Sequence, residues 1–262
     1  MSKDFPEYNA LAEIYDLWAS ADPACKATHD YYLHLCGEST GVIVELGIGT
    51  GRIAVDVAKR GKDIIGVDIS VPMLEQCRLR AMKEGVLDRI KLIQGDIRTF
   101  KLHQKANLII FPFRSIGHFL SLESKKQALQ NIYSQLAPRG QFVFDHYVFY
   151  EPWAKNHDGI SRLMYHSQIP NEGSLYIWDT YQYKYSLQQM DCTITIERTD
   201  KNGVVGSRIH CPLSFSWVYP EQIRQIAADV GFEFEAVYGD FFCNELTEAS
   251  SEQIWLFRRP RN

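Results

Sequence analysis

The sequence lacks the features that mark membrane-spanning, secreted or metal-binding proteins. None of its apolar runs reaches the roughly 20 residues that a membrane helix needs. Its first residues do not follow the basic and then apolar order of a secretory signal. The six cysteines are scattered, with no Cys-x-x-Cys pair. We therefore expect reduced thiols, a cytoplasmic location and no metal ion.

An excess of positive charge is also missing. Lys and Arg together number 28, against 32 for Asp and Glu, which gives a formal net charge of −4. Nucleic acids and anionic membranes favour basic partners, so we expect neither to bind. The chain has 262 residues, 45% of them hydrophobic, and this is enough for one or two domains with a buried core.

Short apolar runs alternate with amphipathic segments in the region 41–150. The predicted strands lie at 42–46, 63–68, 90–96, 106–113 and 141–145, and the predicted helices at 52–60, 71–84 and 123–136. Apolar strands that alternate with helices form a parallel sheet buried on both faces. The fold class is therefore predicted as α/β, with a doubly wound, Rossmann-like sheet.

The region 151–217 shows a different pattern, in which apolar residues alternate with polar ones. Asn-Glu-Gly and Asp-Lys-Asn-Gly turn signals separate its segments, so we expect a small antiparallel β insertion of four strands without helices between them. The region 218–262 then supplies a helix and two strands that complete the α/β domain. The region 1–40 is predicted to be helical, with a helix over 10–18 and a second helix that begins at Pro23.

A glycine-rich loop at 47–51 lies between the first predicted strand and the first helix. Glycines let a ligand approach the backbone, and the helix start offers free N–H groups to an anion. Asp68 and Asp96 end the next two strands at the same sheet edge, where an acid can bind ribose hydroxyls. Arg52 stands where a dinucleotide-binding loop needs its last glycine. The pattern therefore predicts a nucleoside-type ligand that is not a dinucleotide.

Four segments between residues 44 and 145 form a recognisable set. They are Val-Glu-Leu-Gly-Ile-Gly-Thr-Gly-Arg (44–52), Gly-Val-Asp-Ile-Ser (66–70), Gln-Gly-Asp-Ile (94–97) and Leu-Ala-Pro-Arg-Gly-Gln-Phe-Val-Phe-Asp (136–145). As a set they resemble the class I S-adenosylmethionine-dependent methyltransferases, although Arg139 replaces the first glycine of the usual Pro-Gly-Gly. The resemblance implies a mostly parallel seven-stranded sheet whose last two strands form a hairpin.

The resemblance also implies the cofactor and its contacts. The cofactor would be S-adenosyl-L-methionine, with S-adenosyl-L-homocysteine as product and no metal. The residues so implied are Tyr15, Glu45, Gly47, Gly49 and Phe111 at the methionine end, Asp68 at the ribose, and Ile69, Met73, Asp96 and Ile97 at the adenine. Tyr15 shares an aromatic stripe with Tyr8 and Trp18, and this stripe would belong to a helical lid over the cofactor.

The segment Phe-Pro-Phe-Arg-Ser-Ile-Gly-His-Phe-Leu (111–120) is similar to a stretch of small-molecule N-methyltransferases that act on amino sugars. Some of those enzymes carry a β insertion beside the active site. His118 is the candidate catalytic residue, as a general base or a group that orients the acceptor. The candidate substrate-binding residues are Arg114, His146, Tyr150 and Trp178. Each of them could instead pack in the core or lie in solvent.

The predicted function is methyl transfer to a nitrogen or oxygen atom of a small molecule. A non-catalytic, regulatory S-adenosylmethionine-binding protein and a protein methyltransferase stay open as alternatives, and a homodimer is compatible with all of them. A nucleic-acid methyltransferase is disfavoured by the acidic charge balance. Phe-Pro-Phe-Arg also stands where base-amino methyltransferases carry Asn-Pro-Pro-Tyr or Asp-Pro-Pro-Tyr.

Overall fold

The computed structural model describes Leu11, Ala12 and residues 14–261, whose strands form two separate sheets. The strands are β1 Ile43–Leu46, β2 Ile64–Asp68, β3 Ile90–Gln94, β4 Ala106–Phe111, β5 Leu136–Tyr147, β6 Ser161–Ile169, β7 Gly173–Lys184, β8 Gln189–Thr199, β9 Val205–Ser216, β10 Glu233–Tyr238 and β11 Glu252–Arg258. The helices are α1 Tyr15–Ser20, α2 Cys25–Glu38, α3 Arg52–Lys59, α4 Val71–Lys83, α5 Leu122–Gln135, α6 Glu151–His157 and α7 Pro220–Val230.

The main sheet has seven strands in the order β10-β11-β5-β4-β1-β2-β3. Strands β1 to β5 pair in parallel, while β11 pairs antiparallel with both β5 and β10. All four residues of the central strand β1 are buried, as expected for a strand covered on both faces. The predicted fold class is confirmed, including the antiparallel hairpin at the end of the chain.

Helices cover the main sheet on both faces because each turns an apolar side towards it. Helices α5 and α7 pack on one face around Leu129, Ile132 and Ile223. Helices α2, α3 and α4 pack on the other, with Tyr32 and Ile53 among the buried residues. No helix in the described part of the chain is long and apolar enough to cross a membrane.

The second sheet is the predicted insertion, with β6, β7, β8 and β9 paired antiparallel in chain order. One of its faces packs on the N-terminal segment, where Leu11 and Ile14 join Ile177 and Ile194 in a single apolar cluster. Gln189 Nε2 donates to Leu120 O at 2.9 Å. The insertion therefore lies against the loop that follows β4, at the carboxyl edge of the main sheet.

The structure corrects several predicted helix bounds. The helix predicted over 10–18 spans Tyr15–Ser20, and Tyr8 lies outside the described residues. The second helix begins at Cys25 and not at Pro23, because the Asp22 side chain accepts from Ala24 N at 2.8 Å and closes a turn first.

The insertion and β5 also differ from expectation. Helix α6 precedes the four strands of the insertion and was not predicted, although a proline in its first turn favours a helix start. Strand β5 was predicted over 141–145 but begins at Leu136 and ends at Tyr147. It is longer because its ends pair with Ala106 of β4 and Glu252 of β11, which lie outside the local sequence.

We predict that Gly66→Ala destabilises the protein, because Gly66 of β2 lies under the glycine loop. A Cβ at this position would lie 2.0 Å from Ile48 Cδ1 and 3.0 Å from Ile48 Cβ. Overpacking of this kind costs about 1–3 kcal/mol, which lowers the melting temperature by several degrees in thermal unfolding followed by circular dichroism. Gly206→Ala in β9 is the control, because its Cβ would meet nothing closer than 3.8 Å. Equal melting temperatures for the two variants would contradict the prediction.

Candidate functional site

A cavity opens at the carboxyl edge of the main sheet, between the ends of β1, β2 and β4 and the helix α1. Its wall consists of Tyr15, Gly47, Gly49, Asp68, Ile69, Met73, Gly95, Ile97, Phe111, Ser115, His118 and Phe119. The structure thus brings together all the predicted cofactor residues except Glu45 and Asp96. It also places the predicted catalytic residue, His118, in the same wall.

The glycine loop lies beside the cavity in a conformation that only glycine adopts easily. Gly47, Gly49 and Gly51 have φ values of 63°, 54° and 75°, in the left-handed region. Gly49 N–H donates to Asp68 Oδ2 at 2.8 Å, and Ser70 N–H donates to Asp68 Oδ1 at 2.9 Å. Burial raises the pKa of Asp68, while these backbone donors lower it. The carboxylate is therefore fixed at the end of β2 before any ligand binds.

The two predicted cofactor residues outside the cavity wall are both acids. Glu45 is buried in β1, where desolvation raises its pKa to about 8, and its Oε2 has no hydrogen-bond partner among the described residues. Asp96 accepts from Arg98 Nη2 at 2.8 Å and borders a shallow polar depression next to Asn131. Their roles at the cofactor stay predictions.

The turn after β4 is shaped by a buried carboxylate. Phe113 and Arg114 have φ values of 63° and 58°, a left-handed conformation that is uncommon for residues with side chains. Asp145 holds both, because Phe113 N–H donates to its Oδ1 and Arg114 N–H to its Oδ2, each at 2.8 Å. Tyr32 Oη adds a third hydrogen bond to Oδ1 at 2.7 Å. This turn leads the chain from β4 to His118.

The predicted substrate residue Arg114 has its guanidinium group between two protein carboxylates. Its Nη1 donates to Asp22 at 2.6 Å, and its Nη2 donates to Glu252. Burial raises the pKa of Glu252 to about 7, against the lowering effect of Arg114. The side chain links the N-terminal segment to β11 and does not line the cavity.

His118 is half-buried in the cavity wall and packs against Phe215 of the insertion, with ring centroids 4.7 Å apart and ring planes tilted by 41°. Desolvation, with a smaller contribution from the nearby Lys125, lowers its pKa to about 4 against the raising effect of a hydrogen bond to the backbone of Ser214. The imidazole is therefore neutral at physiological pH. It can accept a hydrogen bond or a proton, but it cannot act as an acid there.

The other predicted substrate residues lie outside the cavity wall. His146 is the next-to-last residue of β5 and is fully buried, and desolvation holds its pKa well below the usual value. Tyr150 precedes α6 and is 65% exposed. Trp178 lies on the face of β7 opposite to the buried Ile177. Their contact with substrate stays a prediction.

Sequence reasoning missed three residues of the cavity wall. Ser115 and Phe119 flank His118 in the quoted segment, so their position beside it was the available signal. Gly95 directly precedes Asp96 at the end of β3. In the described part of the chain, no group of three or more His, Cys, Asp or Glu residues is arranged to hold a metal ion.

Comparison with known proteins agrees with this geometry. Residues 43–140 match the family model described as a methyltransferase domain. Carboxy-S-adenosyl-L-methionine synthase of Wolinella succinogenes is 25% identical over 199 residues, which cover 74% of this chain and 80% of that protein.

Two solved structures share the whole architecture. The CcbJ methyltransferase of Streptomyces caelestis superposes with a TM-score of 0.81 at 17% identity, over 99% of this chain and 100% of that one. The sugar N-methyltransferase KedS8 of Streptoalloteichus gives 0.72 at 15% identity, over 95% and 93%. At such identities the likeness shows the fold alone.

The domain match covers residues 43–140, and the sheet order and the cavity agree with it. These residues form a methyltransferase domain, and the described chain has the fold of the two solved methyltransferases. The predicted enzyme class and cofactor are confirmed.

We expect Asp145→Asn to lower the free energy of unfolding more than Tyr32→Phe does. An amide offers one acceptor oxygen, so the turn loses one of its two backbone bonds and an N–H faces the new NH₂ group. A hydrogen bond to a charged group contributes about 1.5–3 kcal/mol, against roughly 1 kcal/mol for a bond between neutral groups. Asp145→Asn therefore also weakens the hydrogen bonds that remain. Tyr32→Phe is the control, because it removes only the hydroxyl donor. Urea unfolding measures both, and a smaller loss for Asp145→Asn would refute the role of this carboxylate.

Proposed function

We propose that the protein transfers a methyl group from S-adenosylmethionine to a nitrogen or oxygen atom of a small-molecule acceptor, and that an amine is the favoured acceptor. The observation that carries the proposal is one cavity wall that joins the glycine loop and Asp68 to His118. KedS8, which is a sugar N-methyltransferase, shares the fold of this chain, and this likeness supports an amine as the acceptor.

The cavity wall fits the chemistry of the cofactor. The left-handed glycine loop turns its backbone towards the cavity, where it would face the methionine end together with Tyr15. The carboxylate of Asp68 would accept from the ribose hydroxyls. Ile69, Met73 and Ile97 supply an apolar surface for the adenine. When bound, the cofactor supplies a methyl group already activated on a sulfonium.

His118, which lines the same cavity, would orient the acceptor. A neutral imidazole can accept a hydrogen bond from an amine or hydroxyl group and so aim its lone pair at the methyl group. Positioning carries most of the rate gain in such a reaction, since the electrophile needs no further activation by the protein. With its pKa near 4, His118 would hold a proton only briefly before solvent removes it.

We predict that Asp68→Ala weakens the binding of S-adenosylhomocysteine about tenfold or more, because charge-assisted hydrogen bonds to ribose contribute roughly 1.5–3 kcal/mol. Isothermal titration calorimetry measures the change. Asp63→Ala is the matched control, because Asp63 precedes the same strand and is paired with Arg89 in solvent. An affinity loss of less than twofold for Asp68→Ala would show that this carboxylate does not bind the ribose.

The function itself is tested by mass spectrometry of small amines, amino sugars and phenols incubated with the protein and S-adenosylmethionine. A product heavier by one methyl group, together with S-adenosylhomocysteine, is the expected result. In a parallel incubation that also supplies a carboxyl donor, conversion of S-adenosylmethionine itself into a carboxylated species would instead indicate the reaction named for the Wolinella relative.

Once an acceptor is identified, we expect His118→Asn to lower kcat by about 10²-fold, because the acceptor then loses the hydrogen bond that aligns it with the methyl group. Affinity for S-adenosylhomocysteine should change little, because the proposed contacts to the cofactor come from other residues of the cavity wall. Stopped-time assays and calorimetry give the two values. A loss of only a few-fold in kcat would show that His118 packs against Phe215 without assisting the transfer.

A further inference from the structure

A lysine is buried behind the loop that carries His118. Lys125 of α5 is 1% exposed, and its Nζ donates to Phe119 O and to Ser216 Oγ. Among the described residues, no carboxylate lies within ion-pair distance of it. Burial lowers its pKa to about 7. A charged group without a carboxylate partner is costly to bury. A contribution to stability therefore does not explain why a lysine occupies this buried position.

The lysine and Ser216 hold the backbone on both sides of His118. Ser216 Oγ donates to Phe119 O at 2.8 Å and contacts Gly117 O at 3.3 Å. Gly117 leaves no spare room, because a Cβ there would lie 3.2 Å from His146 Cε1 and 3.3 Å from Ser216 O. The loop is therefore closely packed against the ends of β5 and β9.

The same contacts fix the insertion relative to the cavity. Ser216 is the last residue of β9, and the ring of the preceding Phe215 packs against the His118 ring. Lys125 thus joins three parts of the molecule at one point: helix α5, the His118 loop and the end of the insertion.

We propose that Lys125 is a positioning residue for methyl transfer, which holds His118 and the end of the insertion in register with the cofactor cavity. The inference rests on the proposed function. Lys125 acts through the carbonyl of Phe119 and the hydroxyl of Ser216, and it does not line the cavity itself. Displacements of about 1 Å at a reacting centre can cost about 10²-fold in rate, which gives this contact its importance.

Lys125→Met separates positioning from stability. Methionine is similar in length to lysine. In this variant Phe119 O still accepts a hydrogen bond from Ser216, so the carbonyl is not left without a donor. Replacement of a buried charge by an apolar side chain is often neutral or stabilising. We therefore expect an unchanged or higher melting temperature, an unchanged affinity for S-adenosylhomocysteine, and a kcat about 10–100-fold lower.

Lys126→Met is the matched control, because Lys126 is the next residue of α5 and pairs with Asp229 at the surface at 3.0 Å. It should leave kcat unchanged. Ser216→Ala provides a second variant that leaves the lysine bond to Phe119 in place, and we expect a fall in kcat there too. An unchanged kcat in Lys125→Met would overturn the proposal, whether or not Ser216→Ala lowers kcat. So would a fall in melting temperature and cofactor affinity that accounts for the lost activity.

A measurement that does not depend on methyl transfer tests the role of Lys125 separately from the proposed function. The ¹H–¹³C resonance of the His118 ring, assigned with His118→Asn, is recorded in the complex with S-adenosylhomocysteine. Lys125→Met should shift this resonance, whereas Lys126→Met should not. An unshifted resonance would overturn the positioning role even if the enzyme is active. A shifted resonance in a protein that methylates no acceptor would leave the arrangement intact and refute the proposed function.

Discussion

The hydrogen bonds to the buried carboxylate of Asp145 are the constraint on which the rest of the site depends. Two successive residues in the left-handed conformation are unfavourable by themselves, and Phe113 and Arg114 persist there because both of their N–H groups bind this carboxylate. The turn redirects the chain from the buried strand β4 into the cavity wall. Without it, β4 would deliver neither Ser115 nor His118 to the cavity.

The N-terminal segment closes the same edge of the sheet with polar contacts. Asp16 accepts from Thr50 Oγ1 at 2.7 Å and from Arg80, and Asp22 binds Arg114. The opposite side of the segment packs on the insertion through Leu11 and other apolar residues. Since Tyr15 lies in the cavity wall between these anchors, the segment is a shared wall of the cofactor cavity and the insertion.

Local sequence patterns were enough to predict most of the fold and most of the cofactor-binding residues. Contacts between residues far apart in the sequence could not be predicted. The glycine loop and Asp68 follow from a strand, a turn and a helix that are adjacent in the sequence. Arg114 could not be placed, because its partner Glu252 lies 138 residues away and no local pattern encodes the pair. Lys125 sits in an amphipathic helix, where a lysine ordinarily faces solvent. Its burial depends on Ser216, which is 91 residues away and belongs to the insertion.

The charges around the cavity suit the movement of positive charge that methyl transfer requires. The carboxylate of Asp68 lies on the cofactor side, where a sulfonium cation is favoured by a nearby anion. In the proposed transfer to nitrogen, the positive charge would move to the acceptor, which would lie beside His118. Burial keeps His118 neutral and holds the pKa of Lys125 near 7, so this wall carries little charge above neutral pH. A permanent cation at either position would oppose the charge that develops in the transition state, and the fold avoids this by burying both basic groups.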